Sequence, residues 1–168
     1  VEPLIHFMIP FAALTLYGMD LRKALPLSLL ALLPDFDVLF FVHRSFSHSI
    51  LVVVGFMAPI LVLAYRFRPR LYSYAVMALL VLASHLVLDV FAGYTPILWP
   101  LYGYSIWIQA GLTVHMGSSP SLALRVELPT KPTTFQPFRG LDAPLFTGEG
   151  LILSIMLLIP VLLKAYYK

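Results

Sequence analysis

The chain has 168 residues, of which 60% are hydrophobic and only 11% charged. An ordinary soluble domain carries about 25% charged residues, and one this small keeps roughly 30% of its unfolded surface in water after folding. With a mean hydropathy of +0.90, this composition excludes a soluble monomer and a disordered chain and predicts a single integral membrane domain over residues 1–168. There are no cysteines, which removes disulfides, iron–sulfur clusters and thiolate zinc sites. Any metal must be held by histidine and carboxylate. The net charge of +3 sits in short clusters, a pattern that speaks for membrane orientation and against nucleic-acid binding.

Five apolar stretches, residues 4–19, 24–42, 49–65, 71–92 and 151–163, predict an all-α membrane protein of about five transmembrane helices. Glu2 and Pro3 stand where the basic region of a leader would begin, so the first stretch reads as a span. The second is interrupted by Pro34, Asp35 and Asp37. Pro34 removes a donor from the helical ladder and is expected to push Leu33 out of helix. In such a break Asp35 and Asp37, at i and i+2, are able to point the same way. His85 and Asp89 lie in the fourth stretch at i and i+4, on one helix face.

Residues 93–149 read as a proline-rich cap, holding half of the fourteen prolines. Tyr94, Trp99, Tyr102, Tyr104 and Trp107 cluster at its start, as an interfacial aromatic belt does. Residues 105–116 partly alternate. Residues 122–128 are expected to pair with them across the Gly117-Ser118-Ser119-Pro120 turn, giving a β-hairpin.

Orientation follows from lysine and arginine. Arg22 and Lys23 separate the first two spans, Arg66, Arg68 and Arg70 the third and fourth, and Lys164 and Lys168 follow the last. Five spans put all seven on one side, expected to be cytoplasmic. The amino terminus and the cap then lie outside, with the chain in the cytoplasmic (inner) membrane.

The informative residues are ionisable ones in the wrong solvent. A lone charge at the bilayer centre costs roughly 2.5–3.5 kcal/mol, so Asp35, Asp37 and Asp89 must be shallow, paired or metal-bound. At 1.5 Å per residue from Leu71, His85 sits about 21 Å up its span and Asp89 about 27 Å up. The orientation drawn from cations alone brings His6, Asp35, Asp37, His43, His48, His85, Asp89 and Glu149 to the outer face. Their donor types suit one or two divalent ions, of zinc, manganese or iron. Ser47, Ser49 and Ser84 are available to orient the ligands. Each residue also has a plainer reading. Asp35 caps a resumed helix, His85 and Asp89 form a buried ion pair, Arg44 snorkels or pairs with a carboxylate, and His115 is an interfacial histidine. The joint set is harder to explain piecemeal.

His6, Leu33-Pro-Asp-Phe-Asp37, His43-Arg-Ser-Phe-Ser-His-Ser49, Ser84-His-Leu-Val-Leu-Asp89 and Trp99-Pro-Leu101 together resemble a LexA-regulated family of inner-membrane, metal-dependent hydrolases over residues 4–103. Their order is also similar to the zinc-dependent phospholipase C and single-strand nuclease superfamily, in which such residues build a multinuclear zinc site. That resemblance implies zinc on His6, on Asp35 or Asp37, on His43 or His48, and on His85 and Asp89. Downstream only Glu149 and the off-pattern His115 remain, where the superfamily has further ligands.

The expected activity is metal-assisted hydrolysis of an anionic phosphoester, such as a phospholipid or lipid-linked phosphate, at headgroup depth. Asp35 or Asp37 would take the proton and Arg44 would hold the anion. The alternatives are a membrane scaffold with a structural metal, and an ion or proton transporter. A transporter should carry polar residues on to the cytoplasmic side, and the inner halves of the first, third and fourth spans are nearly all apolar.

Overall fold

Three helices are long and apolar enough to cross a membrane: α3 (Ile50–Phe67), α4 (Pro69–Ala92) and α5 (Gly148–Tyr166). They occur in a computed structural model that describes residues 2–117, 120–140 and 143–167. Helix α1 (Pro3–Tyr17) is apolar but shorter. The predicted second span is not one helix. Helix α2 (Leu21–Leu29) has nine residues, and the chain continues as 3₁₀ turns over Leu30–Leu32 and Pro34–Phe40. The expected count of five spans therefore gives way to three full-length helices and two shorter elements packed on them.

Pro34 acts as a breaker, but not by the expected route. Leu33 keeps right-handed helical angles, φ −60° and ψ −41°. The ladder tightens instead, with the Phe36 N–H donating to Leu33 O at 3.1 Å, an i to i−3 bond that a missing proline N–H does not interrupt. A second 3₁₀ turn, Phe46–His48, leads into α3, where Ser49 accepts from the Leu51 N–H as the N-cap.

The other breaks are local. Gly18, at φ +117°, ends α1 in the left-handed conformation that glycine adopts without steric cost. Asp20 caps α2 by accepting from the Arg22 N–H. Only Arg68 separates α3 from α4, and Pro69 opens α4, where a missing N–H costs nothing.

Two apolar clusters join the helices. Met8, Phe11 and Leu14 of α1 meet Ala24, Ala31, Val81 and Val161 in one. Val53 and Met57 of α3 meet Ala78, Leu82 and Leu86 of α4 in the other. Most remaining apolar side chains, such as Val62, Leu80 and Ile152, are exposed, as lipid-facing residues are.

The cap contains the predicted hairpin. Strands β2 (Gln109–His115) and β3 (Ser121–Glu127) pair antiparallel, with Leu112 opposite Leu124. A shorter pair, β1 (Tyr104–Ile106) with β4 (Thr130–Pro132), closes its base. Ser118 and Ser119 of the predicted turn lie outside the described residues, as does Lys168 of the cationic set. The base is tied to the end of α4, because the Ile108 N–H donates to Val90 O at 2.8 Å and Trp107 Nε1 donates to Phe91 O at 3.1 Å.

Cationic residues gather at the opposite end of α4. Lys23 Nζ stands 5.8 Å from the centre of the Tyr74 ring. Lys164 Nζ donates to Leu16 O at 2.7 Å and to Thr15 O at 3.0 Å, the latter also accepting from the Gly18 N–H, at the carbonyl end of α1. Replacing Lys164 with methionine keeps the stem and removes these bonds. The expected loss is about 1 kcal/mol of stability, read as a lowered unfolding temperature of the purified protein in detergent.

Candidate metal centre

Four polar side chains from three segments converge near the end of α4. His85 and Asp89 come from one face of α4, His48 from the 3₁₀ turn before α3, and Asp35 from the turn after Pro34. Each offers one ligand atom, and the four atoms lie within 4.8 Å of one another. His48 Nε2 is 3.2 Å from His85 Nε2, 3.4 Å from Asp35 Oδ1 and 3.2 Å from Asp89 Oδ2. His85 Nε2 is 3.6 Å from both Asp35 Oδ1 and Asp89 Oδ2.

These separations test the fit to a metal. Ligands on a tetrahedral zinc with bonds of about 2.0–2.1 Å stand roughly 3.3–3.4 Å apart, close to the spacings present. The set also holds more acceptors than protons. Two imidazole nitrogens and two carboxylate oxygens face one another, three of the four side chains sealed from water, an arrangement that a cation resolves and bare burial does not. The residues fit a divalent ion.

Around these four stands a second layer. Asp37 does not share the ion-facing side with Asp35; the two carboxylates flank opposite nitrogens of one ring. Asp37 Oδ2 is 3.3 Å from His48 Nδ1 and accepts from the Ser45 N–H at 2.8 Å. A carboxylate on the far nitrogen of a ligating histidine fixes its tautomer and orientation. Asp37, His43 and His48 form another group of potential ligands, but His43 Nδ1 lies 3.8 Å from Asp37 Oδ1 and the group borrows the same His48. Ser47 Oγ reaches both Asp37 Oδ2 and His48 Nδ1. The Ser49 hydroxyl donates to Trp99 O, and the Ile50 N–H donates to Ile97 O, so the Trp-Pro-Leu segment braces the turn that carries His48. Ser84 takes no part, since its hydroxyl bonds back to Val81 O.

His6 and Arg44 meet the other oxygen of Asp89. His6 Nε2 is 3.3 Å from Asp89 Oδ1, and its ring stacks on His85 with centroids 3.9 Å apart. Arg44, at φ +55°, places one guanidinium nitrogen 3.5 Å from Asp89 Oδ1 and another 3.4 Å from Tyr94 O. The expected anion-holding role for Arg44 is not what this geometry favours: its guanidinium is spent on Asp89 and on backbone, the carboxylate pairing weighed as its plainer reading. Glu149 stands exposed in the first turn of α5 and enters neither group of ligands. Asp35 lies inside the 3₁₀ turn Pro34–Phe40, whose N-cap position is Leu33, so the capping reading does not describe it.

Gly93 is a residue that sequence reasoning missed. A Cβ built there would stand 2.3 Å from an Arg44 guanidinium nitrogen. The missing side chain makes the slot in which the arginine lies beside Asp89. The partners are 49 positions apart in number but adjacent in space, and no local pattern announces them.

Fold and cluster together define a helical membrane protein with a buried histidine–aspartate centre suited to a divalent ion. The chain belongs to the YdjM inner membrane protein family, whose model matches residues 2–166. No curated protein and no solved structure matches it. The match agrees with the inner-membrane family expected from the motifs; its description speaks of the membrane and not of hydrolase or phospholipase C chemistry.

Two substitutions test the outer layer. Asp37→Asn should leave the four ligands in place yet weaken metal affinity about 10–100-fold, because His48 loses its orienting carboxylate. Gly93→Ala should weaken it too, by displacing Arg44, whereas Gly103→Ala, with open space around it, should not. Competition with a metal-sensitive dye reads both.

Proposed function

We propose that the protein is a membrane-embedded, metal-dependent hydrolase of phosphoesters, with a phospholipid or lipid-linked phosphate as substrate and zinc as the metal. The observation that carries the reading is the unequal access to the four ligands. The side chains of His48, His85 and Asp89 are 0–1% exposed, and that of Asp35 is 20% exposed. Asp35 and His43 also line a cleft of about 870 Å³. Three sealed ligands and a fourth, Asp35, that borders an open cleft leave one side of the site open to approach by water or substrate, as a catalytic site requires.

A divalent ion bound there supplies hydroxide near neutral pH and a positive charge for the developing oxyanion. The protein's own residues do the rest. His48 and His85 would hold the ion through Nε2, and Asp37 orients His48 from its Nδ1 side. Asp35, between cluster and cleft, is placed to accept a proton from a water in the cleft. Asp37, engaged by the Ser45 N–H and His48, is the weaker candidate for that role. A single ion suits this arrangement, because His48 serves the first group through Nε2 and Asp37 through Nδ1.

The scaffold reading has an observation in its favour. Four complete ligands also describe a closed structural site. Transport has less support, because the apolar clusters around Met8, Phe11, Leu82 and Leu86 fill the bundle below the site. We read the site as facing outside, since the cationic turns lie at the far end of α4 and cationic loops favour the cytoplasm.

Metal analysis and hydrolysis assays on phosphoester and phospholipid probes separate these readings. His85→Ala should lose the metal. Asp35→Asn should retain most of it and lose turnover by about tenfold or more, equivalent to roughly 1.4 kcal/mol of barrier. A parent protein with no turnover, whose Asp35→Asn variant also loses metal, would establish the structural site instead. A cysteine introduced at Ala123 should react with impermeant reagents from outside the cell; reaction only from the cytoplasm would reverse the orientation.

A further inference from the structure

The cleft beside Asp35 has walls of two kinds. Phe36, Leu39, Phe41 and Leu145 give it an apolar side, and Leu39 and Leu145 are each 73% exposed. Arg139 lines the same cleft on the strap that returns from the cap to α5. The strap is pinned across the opening, because the Phe138 N–H donates to Phe41 O at 2.8 Å. Phe41 and Phe138 also meet edge to face, with centroids 6.2 Å apart.

Arg139 differs from Arg44 in having nothing to do. Among the described residues it has no hydrogen-bond, ion-pair or ring partner. Among the described residues, the other charged groups on the cleft are Glu2 and Asp35, with His43 beside them. Glu2 is turned into the protein against Gly150, where a Cβ would collide with its carboxylate. Asp35 belongs to the metal centre. Arg139 is therefore the one uncommitted full cation among the described lining residues, in a guanidinium form that suits an oxyanion.

The apolar side chains on this cleft are themselves exposed: Phe36, Leu39, Phe41 and Leu145 are 55–73% accessible. In water they would form a costly patch. In a membrane protein such a rim suits the bilayer interface, where lipid headgroups and acyl chains meet.

We propose that the cleft binds an anionic amphiphile drawn from the bilayer, its charged head on Arg139 and its chain against Phe36, Leu39, Phe41 and Leu145. This deepens the hydrolase reading and rests on it in one respect: the bound head lies beside Asp35 and His43, at the open side of the metal centre. The charge recognition moves from Arg44, which holds Asp89, to Arg139, which holds the ligand.

The test uses the full chain in phosphatidylcholine nanodiscs. An Ala143→Cys label reports from the cleft, and the cysteine-free sequence makes it the single thiol. Nitroxide-tailed phosphatidic acid, added at low mole fraction, should quench the label far more than nitroxide-tailed phosphatidylcholine. Arg139→Gln should weaken phosphatidic acid binding about tenfold and bring the two lipids level, with metal content unchanged. Arg139→Lys should restore part of the preference. Leu39→Gln should weaken binding of the chain without changing which head is preferred. Inorganic phosphate and glycerol phosphate should compete poorly, since they lack a chain. An Arg139→Gln protein that still prefers phosphatidic acid overturns the proposal, as does competition by free phosphate as effective as by the lipid. Metal is measured on the same samples: a parent without metal that still shows Arg139-dependent lipid binding defeats the hydrolase reading alone.

Discussion

The structure turns on the His48 imidazole. Its two nitrogens face carboxylates on opposite sides, Asp35 and Asp89 at Nε2 and Asp37 at Nδ1. The ring is fully buried, and three acids around one base do not sit in a low-dielectric interior without further positive charge. Every neighbouring element serves that requirement. Arg44 brings a permanent cation to Asp89, Gly93 leaves it room, and His48, His85, Asp35 and Asp89 converge in an arrangement that suits a divalent ion. A membrane makes the demand stricter, because there is no water in its core to relieve an unmatched carboxylate.

Backbone irregularity is concentrated where the ligands enter. The helices that carry only packing, such as α3, run unbroken. The stretch from Leu30 to His48 instead uses short 3₁₀ turns and two residues at positive φ, Phe41 and Arg44. Such backbone survives at membrane depth when it is buried in protein or lines a polar cavity. Here it faces the metal centre and the cleft. It is held by side chains that cap its turns and by the braces from Ile97 and Trp99 to the start of α3.

The cap links the two chemistries of the molecule. The base of its hairpin is tied to the end of α4, one and two residues past Asp89, through Val90 and Phe91. Its return strap crosses the cleft through Phe138 and delivers Arg139 to the opening. The same segment that fixes the outer end of the ligand helix therefore also shapes the approach to the site.

Much of this was legible in the residues alone. Hydropathy marked the apolar helices, alternation marked the hairpin, and i, i+4 spacing put His85 with Asp89, because each of these is a local periodicity imposed by backbone geometry. The members of the cluster were legible as well: Asp35, His48, His85 and Asp89 stand out as polar groups in an apolar sequence. Tertiary structure decided what no period encodes. It broke the second apolar stretch into short turns, set Asp35 and Asp37 on opposite sides of one ring, and left Glu149 exposed outside both ligand groups. It also spent Arg44 on Asp89 rather than on a ligand, and brought Arg139 from a strap nearly one hundred residues further on. Those outcomes depend on which long-range partners satisfy a buried charge, and that is settled only when the chain has closed around it.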